Sequence, residues 1–108
     1  MTVEEVTVQE LKKIQDENQP VHLVDVRQKY EKDLVDIGGD LIPLGQLSSR
    51  MEELEPYKEK PIIVYCRSGA RSAEACRTLM ASGFTNVKNL KGGILKWAEE
   101  IDPSLPTY

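Results

Sequence analysis

The chain has 108 residues, of which 30% are charged and 40% hydrophobic, and its formal net charge is −4. This length suits one domain, residues 1–108, built around a single core. The acidic balance argues against nucleic acid as a partner, and no apolar run approaches the ~20 residues that a membrane helix needs. Residues 1–5 lack the features of a signal peptide, and two cysteines do not make a disulfide framework. We therefore expect a cytoplasmic protein.

The amino-terminal half alternates helical and extended patterns. Thr7 and Glu10 fit a capping box, which predicts a helix starting there. A near-continuous apolar run at residues 21–26 is typical of a strand buried on both faces. Three further short elements are predicted: a helix over residues 27–35, a strand over residues 41–44 and a helix over residues 47–54.

The carboxyl-terminal half repeats this alternation. Residues 62–65 predict a strand, and a helical pattern follows that ends at Gly83, a residue suited to a left-handed cap. Residues 87–90 predict another strand before a last helix. Alternating strands and helices imply a mostly parallel sheet with helices on both faces. Ligands in such folds bind beyond the carboxyl ends of the strands, and Cys66 and Asp25 both fall at that edge.

The loop over residues 66–72 contains two arginines, two serines and no acid. Strand, short polar loop and helix form an anion-binding layout, because backbone N–H groups and the positive end of the helix converge on one point. Cys66 stands at that point, and a thiolate is itself an anion. We therefore predict that Cys66 is a reactive thiol and not a buried, inert one.

The other loop residues are candidates for binding an anionic substrate. Arg67 and Arg71 are predicted to hold a dianion and to offset charge on sulfur. Gly69 suits a sharp turn because it tolerates positive φ. Ser68 and Ser72 are candidate hydroxyl donors, although Ser72 is equally suited to capping the helix.

Asp25 and Arg27 are candidate supporting residues. We expect an ion pair between them, with Glu31 as an alternative partner for Arg27 and the bracing of loop N–H groups as an alternative role for Asp25. His22 lies about 10 Å from Asp25 at strand rise, which argues against a Cys–His hydrolase. Cys76 is expected in the core. Two cysteines and one distant histidine are not a metal-ligand set, so neither metal nor cofactor is expected.

Three segments resemble the single-domain rhodanese family: Asp-Val-Arg at residues 25–27, Cys-Arg-Ser-Gly-Ala-Arg-Ser at residues 66–72, and Asn-Leu-Lys-Gly-Gly at residues 89–93, followed by Trp97. The resemblance implies a rhodanese-like α/β fold with a central parallel five-stranded sheet and helices on both faces. It implies sulfane-sulfur transfer from a small anionic donor such as thiosulfate, through a persulfide, to cyanide, a thiol or a sulfur-acceptor protein. In that scheme Cys66 is the nucleophile, and its cradle comprises Arg67, Ser68, Gly69, Ala70, Arg71 and Ser72.

Two alternatives stay open at this point. Cysteine phosphatases resemble this site but have one more residue between cysteine and arginine, and Ser72 stands where their arginine would fall. A non-catalytic binding module could also use the fold, although such modules typically lose the cysteine that is present here. Residues 28–29 and 36–40 depart from the family pattern near the site, so the sequence does not identify the substrate.

Overall fold

The computed structural model describes residues 2–108; Met1, the first residue of the predicted domain, lies outside them. A parallel five-stranded sheet has the strand order β1-β5-β4-β2-β3, which confirms the predicted α/β fold. Within residues 2–108, no helix is both long and apolar enough to cross a membrane. The strands are β1 (Glu4–Val6), β2 (His22–Asp25), β3 (Asp40–Leu41), β4 (Ile62–Tyr65) and β5 (Val87–Leu90).

Among residues 2–108, five α-helices connect or flank these strands. Their bounds are α1 (Val8–Asp16), α2 (Lys29–Leu34), α3 (Leu47–Arg50), α4 (Ala70–Ala81) and α5 (Gly93–Glu100). The third predicted helix is short, because α3 gives way to a 3-10 segment, Met51–Tyr57. That segment contains Pro56 and continues past residue 54, where the predicted helix ends.

The sheet separates two apolar clusters, and β4 contributes to both. Ile62 and Val64 pack with buried residues of α3 and α4, whereas Ile63 and Tyr65 pack with those of α1 and α5. This alternation follows from the two-residue period of a strand. Helices therefore cover both faces, and β4 is buried on each of them, as its continuous apolar run predicts.

Local signals fix the predicted ends of two helices. The Thr7 hydroxyl accepts from the Glu10 N–H, and the Glu10 carboxylate accepts from the Thr7 N–H, both at 3.0 Å. Gly83 has φ +95° after α4, and the Phe84 N–H donates to the Leu79 carbonyl at 3.1 Å. These contacts are the capping box and the left-handed cap that the sequence predicts.

His22 and Cys76 lie away from the carboxyl edge of the sheet. The His22 ring stacks on Tyr57 with centroids 3.7 Å apart, and its Nε2 lies 2.9 Å from an Asp40 carboxylate oxygen. Cys76 lies in the core, where burial raises the pKa of its thiol to about 12. Cys66 and Cys76 are both free thiols, and Cys66 alone lies at the edge where ligands bind in such folds.

Candidate active site

Cys66 directly follows β4, and its sulfur faces the amino terminus of α4. Gly69 stands between them with φ +110°, a conformation that side chains rarely adopt. This turn aims backbone groups at the sulfur: the Gly69 N–H donates to Sγ at 3.0 Å and the Ser72 N–H at 3.4 Å. The loop and the helix terminus therefore converge on the thiol, as in an anion site.

The thiol of Cys66 is buried, and yet the groups around it lower its pKa. Burial alone would raise its pKa, but the contacts that Ser72, Gly69 and Ser68 make with the sulfur outweigh it. The Ser72 oxygen lies 3.3 Å from Sγ. The net effect lowers the pKa of Cys66 below its ordinary value. Ser72 therefore lies at the sulfur with both its N–H and its hydroxyl.

The amino terminus of α5 holds the backbone of the same loop. The Ile94 N–H donates to the Cys66 carbonyl at 3.0 Å, and the Leu95 N–H donates to the Arg67 carbonyl at 3.1 Å. Gly93 permits this approach, since a Cβ there would lie 2.5 Å from the Arg67 carbonyl oxygen. The Gly-Gly segment of the sequence thus fixes the position of the cysteine.

Arg71 is paired with a buried carboxylate. Its two terminal nitrogens donate to Glu31 Oε1 at 2.6 Å and Oε2 at 2.8 Å, and Glu31 is 2% exposed. The hydrogen bond from Arg71 lowers the pKa of Glu31 to about 2. Sequence reasoning considered Glu31 only as a partner of Arg27. The pair also explains how a cation is tolerated in the first turn of α4, where the helix dipole disfavours it.

The Arg67 side chain is bound to Tyr108. Its Nε donates to the Tyr108 carbonyl at 2.7 Å, its Nη2 donates to the same oxygen, and its guanidinium lies 5.1 Å from the centre of the Tyr108 ring. The Tyr108 hydroxyl donates to Glu31 Oε2 at 2.8 Å. Sequence reasoning missed Tyr108, because no local pattern connects it with a loop 41 positions away.

Asp25 and Arg27 form a fully buried ion pair. Arg27 donates to the two carboxylate oxygens of Asp25 at 3.0 and 2.9 Å, and the Tyr65 hydroxyl donates to the same carboxylate at 3.1 Å. Arg27 also donates to the Glu31 carbonyl and to the Tyr108 hydroxyl. Through Glu31 and Tyr108, the pair is connected with the loop that follows Cys66.

Asn89, at β5, connects two parts of the loop. Its Oδ1 lies 2.5 Å from the Ser72 hydroxyl, and its Nδ2 donates to the Gly69 carbonyl at 3.1 Å. Asn89 is the first residue of the motif at residues 89–93, and this motif could have identified it from the sequence. Of the remaining predicted site residues, Ser68 is exposed, and Ala70 begins α4.

Comparison with known proteins agrees with this architecture. Residues 7–100 match the model of the rhodanese-like domain. The chain belongs to the rhodanese-like family. A sulfurtransferase of Allochromatium vinosum is 40% identical over 88 residues, which cover 76% of each chain. A solved rhodanese-like domain protein from Staphylococcus aureus has a TM-score of 0.82 and 28% identity, and the match covers 98% of this chain and 99% of that one.

Some relatives are much longer. A Mycobacterium tuberculosis protein named a probable adenylyltransferase/sulfurtransferase, MoeZ, is 34% identical over 95% of this chain but only 26% of its own length. The chain spans about a quarter of the length of the first curated relatives. The word sulfurtransferase stands in the names of these longer relatives and of the Allochromatium vinosum protein.

Proposed function

We propose that this rhodanese-like protein is a thiosulfate-type sulfurtransferase that carries a sulfane sulfur as a persulfide on Cys66. The observation that carries this proposal is the ring of donors around Sγ, with the Gly69 N–H at 3.0 Å and the Ser72 N–H at 3.4 Å. These donors favour a thiolate, the nucleophilic form of cysteine. The lowered pKa of Cys66 and the sulfurtransferase name of a 40%-identical relative support the same proposal.

The first half-reaction loads the sulfur. The Cys66 thiolate attacks the outer sulfur of thiosulfate, a new S–S bond forms, and the S–S bond of thiosulfate breaks. Its electron pair leaves with sulfite, so Cys66 holds an anionic persulfide and the total charge is unchanged. No proton has to move in this step, and a general base is therefore unnecessary.

The second half-reaction returns the enzyme to its starting state. A thiophilic nucleophile such as cyanide, a thiolate or the thiolate of an acceptor protein attacks the outer sulfur. The S–S bond breaks, and its electron pair stays on Cys66. The donors that stabilise the starting thiolate stabilise this leaving group as well, because the same anion forms at the same place.

Arg67 is the better of the two arginines for holding the donor. Arg71 is bound by both oxygens of a buried carboxylate, and breaking that pair would leave Glu31 as an uncompensated buried charge. Arg67 instead donates to a main-chain oxygen of Tyr108, and a dianion that replaces this contact leaves no buried carboxylate unpaired. We therefore assign donor binding to Arg67 and the support of the loop to Arg71.

The size of the loop favours sulfur over a phosphate ester. Four residues separate Cys66 from Arg71, and the N–H groups of the loop already lie within bonding distance of one sulfur atom. A phosphoryl group brings three oxygens, each of which needs donors of its own. A phosphatase would also need a free arginine over the thiol, whereas Arg71 is paired with Glu31.

Intact mass after incubation with thiosulfate tests the proposal. We expect a gain of one sulfur atom that cyanide or dithiothreitol removes, and peptide mapping should place it on Cys66. The gain should disappear in Cys66→Ser and persist in Cys76→Ser. An adduct on Cys76, or none on the unmodified protein, would contradict the proposed function.

A further inference from the structure

The Ser72 hydroxyl has two neighbours that compete for one proton. It lies 3.3 Å from Cys66 Sγ and 2.5 Å from Asn89 Oδ1. A serine hydroxyl donates one hydrogen bond and accepts others through its lone pairs. It can therefore stabilise a thiolate with its proton or bind Asn89 with that proton, but not both at once.

The orientation of the Asn89 amide favours the arrangement in which the Ser72 hydroxyl donates to Asn89. Its Nδ2 donates to the Gly69 carbonyl at 3.1 Å and lies 3.5 Å from a Glu5 carboxylate oxygen. The opposite orientation of the amide would place an acceptor against both of these acceptors. Oδ1 therefore faces Ser72, and because Asn89 is 2% exposed, bulk water does not supply an alternative partner.

We propose that Asn89 is a positioning residue that holds the hydroxyl proton of Ser72 and turns a lone pair of that oxygen toward Cys66 Sγ. The role in sulfur transfer rests on the proposed function, whereas the arrangement itself does not. In the thiol form, the Cys66 S–H donates to the Ser72 oxygen, and the Ser72 hydroxyl donates to Asn89 Oδ1. To donate to a thiolate, Ser72 would have to leave two oxygens 2.5 Å apart with no proton between them.

This arrangement limits how far the loop stabilises the thiolate. The backbone N–H groups favour ionisation, while Asn89 withholds the side-chain proton that would favour it further. A thiolate that is stabilised less is a stronger nucleophile, since nucleophilicity falls as the pKa falls. While Cys66 carries a persulfide, its Sγ is uncharged and therefore a weak acceptor. The hydroxyl proton of Ser72 stays with Asn89 in that state as well.

Several charged or titratable groups surround these atoms. Arg71 approaches from α4 with Glu31 as its partner, Glu5 lies beyond the Asn89 amide, and Cys76 is a neutral thiol in the core. Arg67 is held at Tyr108. The variants of Ser72 and Asn89 keep Arg71, Glu31, Glu5 and Arg67, and all of them share one replacement of Cys76. Differences in Cys66 ionisation between them therefore report on the hydroxyl.

The test is the pH dependence of iodoacetamide alkylation at Cys66 in a Cys76→Ala background. Asn89→Ala releases the Ser72 proton to the sulfur, and the midpoint should fall by about one pH unit, the size expected for one hydrogen bond to a charged group. Ser72→Ala should not raise the midpoint. Asn89→Ala added to Ser72→Ala should produce no further fall, because Asn89 acts through Ser72.

The matched control is Asn86→Ala, which removes an asparagine just before the amino end of β5 and should leave the midpoint unchanged. A midpoint that is unchanged or raised in Asn89→Ala would overturn the proposal. If Asn89→Ala does not fold, Ser72→Ala decides alone: a rise of about one unit would show that the hydroxyl proton points at sulfur. Alkylation needs no sulfur donor, so the result is independent of whether the protein transfers sulfur.

Discussion

At the residue scale, the two arginines of the loop differ although the sequence presents them alike. Arg71 is held by both oxygens of Glu31, whereas Arg67 donates to one backbone carbonyl of Tyr108. A salt bridge to a buried carboxylate is costly to break. The contact of Arg67 is part-buried and leaves no buried carboxylate unpaired when an anionic donor replaces it. The structure therefore divides the predicted anion clamp into one exchangeable and one fixed guanidinium.

Replacing Arg67 tests this division. Arg67→Met should raise the KM for thiosulfate by about 10-fold or more, the size of one lost charge-assisted hydrogen bond. The kcat should change less, because the donors around Cys66 Sγ are unaffected. Steady-state kinetics with cyanide as the acceptor measure both constants.

Arg77→Met is the matched control for Arg67→Met, because Arg77 is an exposed arginine of α4. It should leave the KM within twofold of the parent protein. An equal rise in the KM for both variants would mean that net charge attracts the donor and that Arg67 does not bind it. An unchanged KM in Arg67→Met would remove Arg67 from the donor site.

At the element scale, the sequence predicted the elements whose signals are local. β4 and β5 have the predicted bounds, 62–65 and 87–90, because each carries its apolar pattern within itself. β1 has no such pattern: two of its three residues are exposed glutamates, and only Val6 is buried. Its place at the sheet edge depends on pairing with β5, which is a long-range contact that periodicity does not show.

In α2, too, the local sequence pattern does not predict which residue is buried. Tyr30 and Leu34 fall one turn apart, a spacing that predicts the helix, and yet their side chains are 65% and 54% exposed. The buried residue of α2 is Glu31. Arg71 neutralises its charge, and the Tyr108 hydroxyl donates a hydrogen bond to it. Polarity alone predicts exposure for a glutamate. The predicted site therefore contained the loop but lacked the carboxylate that supports it.

The contact between α5 and the loop leads to a prediction at this scale. Gly93 has φ +60°, and a Cβ there would lie 2.5 to 2.6 Å from backbone atoms of Cys66 and Arg67. Gly93→Ala should therefore push α5 away from the loop, lower the free energy of unfolding by about 2 kcal/mol or more, and reduce sulfur transfer. Urea unfolding measures the first effect, and turnover in native buffer measures the second.

Gly45→Ala provides the comparison for Gly93→Ala. A Cβ at Gly45 would meet nothing within 4 Å, and its φ lies outside the left-handed range. Its free energy of unfolding should stay within about 0.5 kcal/mol of the parent value. If the two variants had equal stability and equal turnover, the contact between α5 and the loop would not hold the site together.

At the scale of the whole molecule, one polar network joins distant parts of the chain at the site. Glu31 of α2 binds Arg71 of α4 and the Tyr108 hydroxyl, and Arg27 binds Asp25 and that same hydroxyl. Arg27 is fully buried together with Asp25. Breaking such a pair by removing one partner costs about 3 to 5 kcal/mol, because it leaves a buried charge without compensation. The candidate site is therefore also where the stability of the fold depends on paired charges.

This network makes stability depend on pH in a predictable direction. The pKa of Glu31 is lowered from 4.5 to about 2 in the folded protein, chiefly by its hydrogen bond from Arg71. The unfolded chain then binds a proton on Glu31 at a higher pH than the folded chain. The stabilisation is fully present above pH 4.5 and is lost as the pH falls toward 2. It amounts to about 2 to 3 kcal/mol when the partial exposure of Arg71 is allowed for.

Glu31→Gln should therefore lower the free energy of unfolding by about 2 to 3 kcal/mol at pH 7, and the difference from the parent protein should vanish toward pH 2. Urea unfolding at a series of pH values measures both curves, and their difference removes contributions from other carboxylates. Glu53→Gln is the matched control, because Glu53 forms the same two-bonded pair with Arg50 at the surface. An exposed pair contributes little, so its curve should follow that of the parent. A Glu31→Gln difference that persists unchanged to pH 2 would mean that shape, and not the charge of Glu31, stabilises the network.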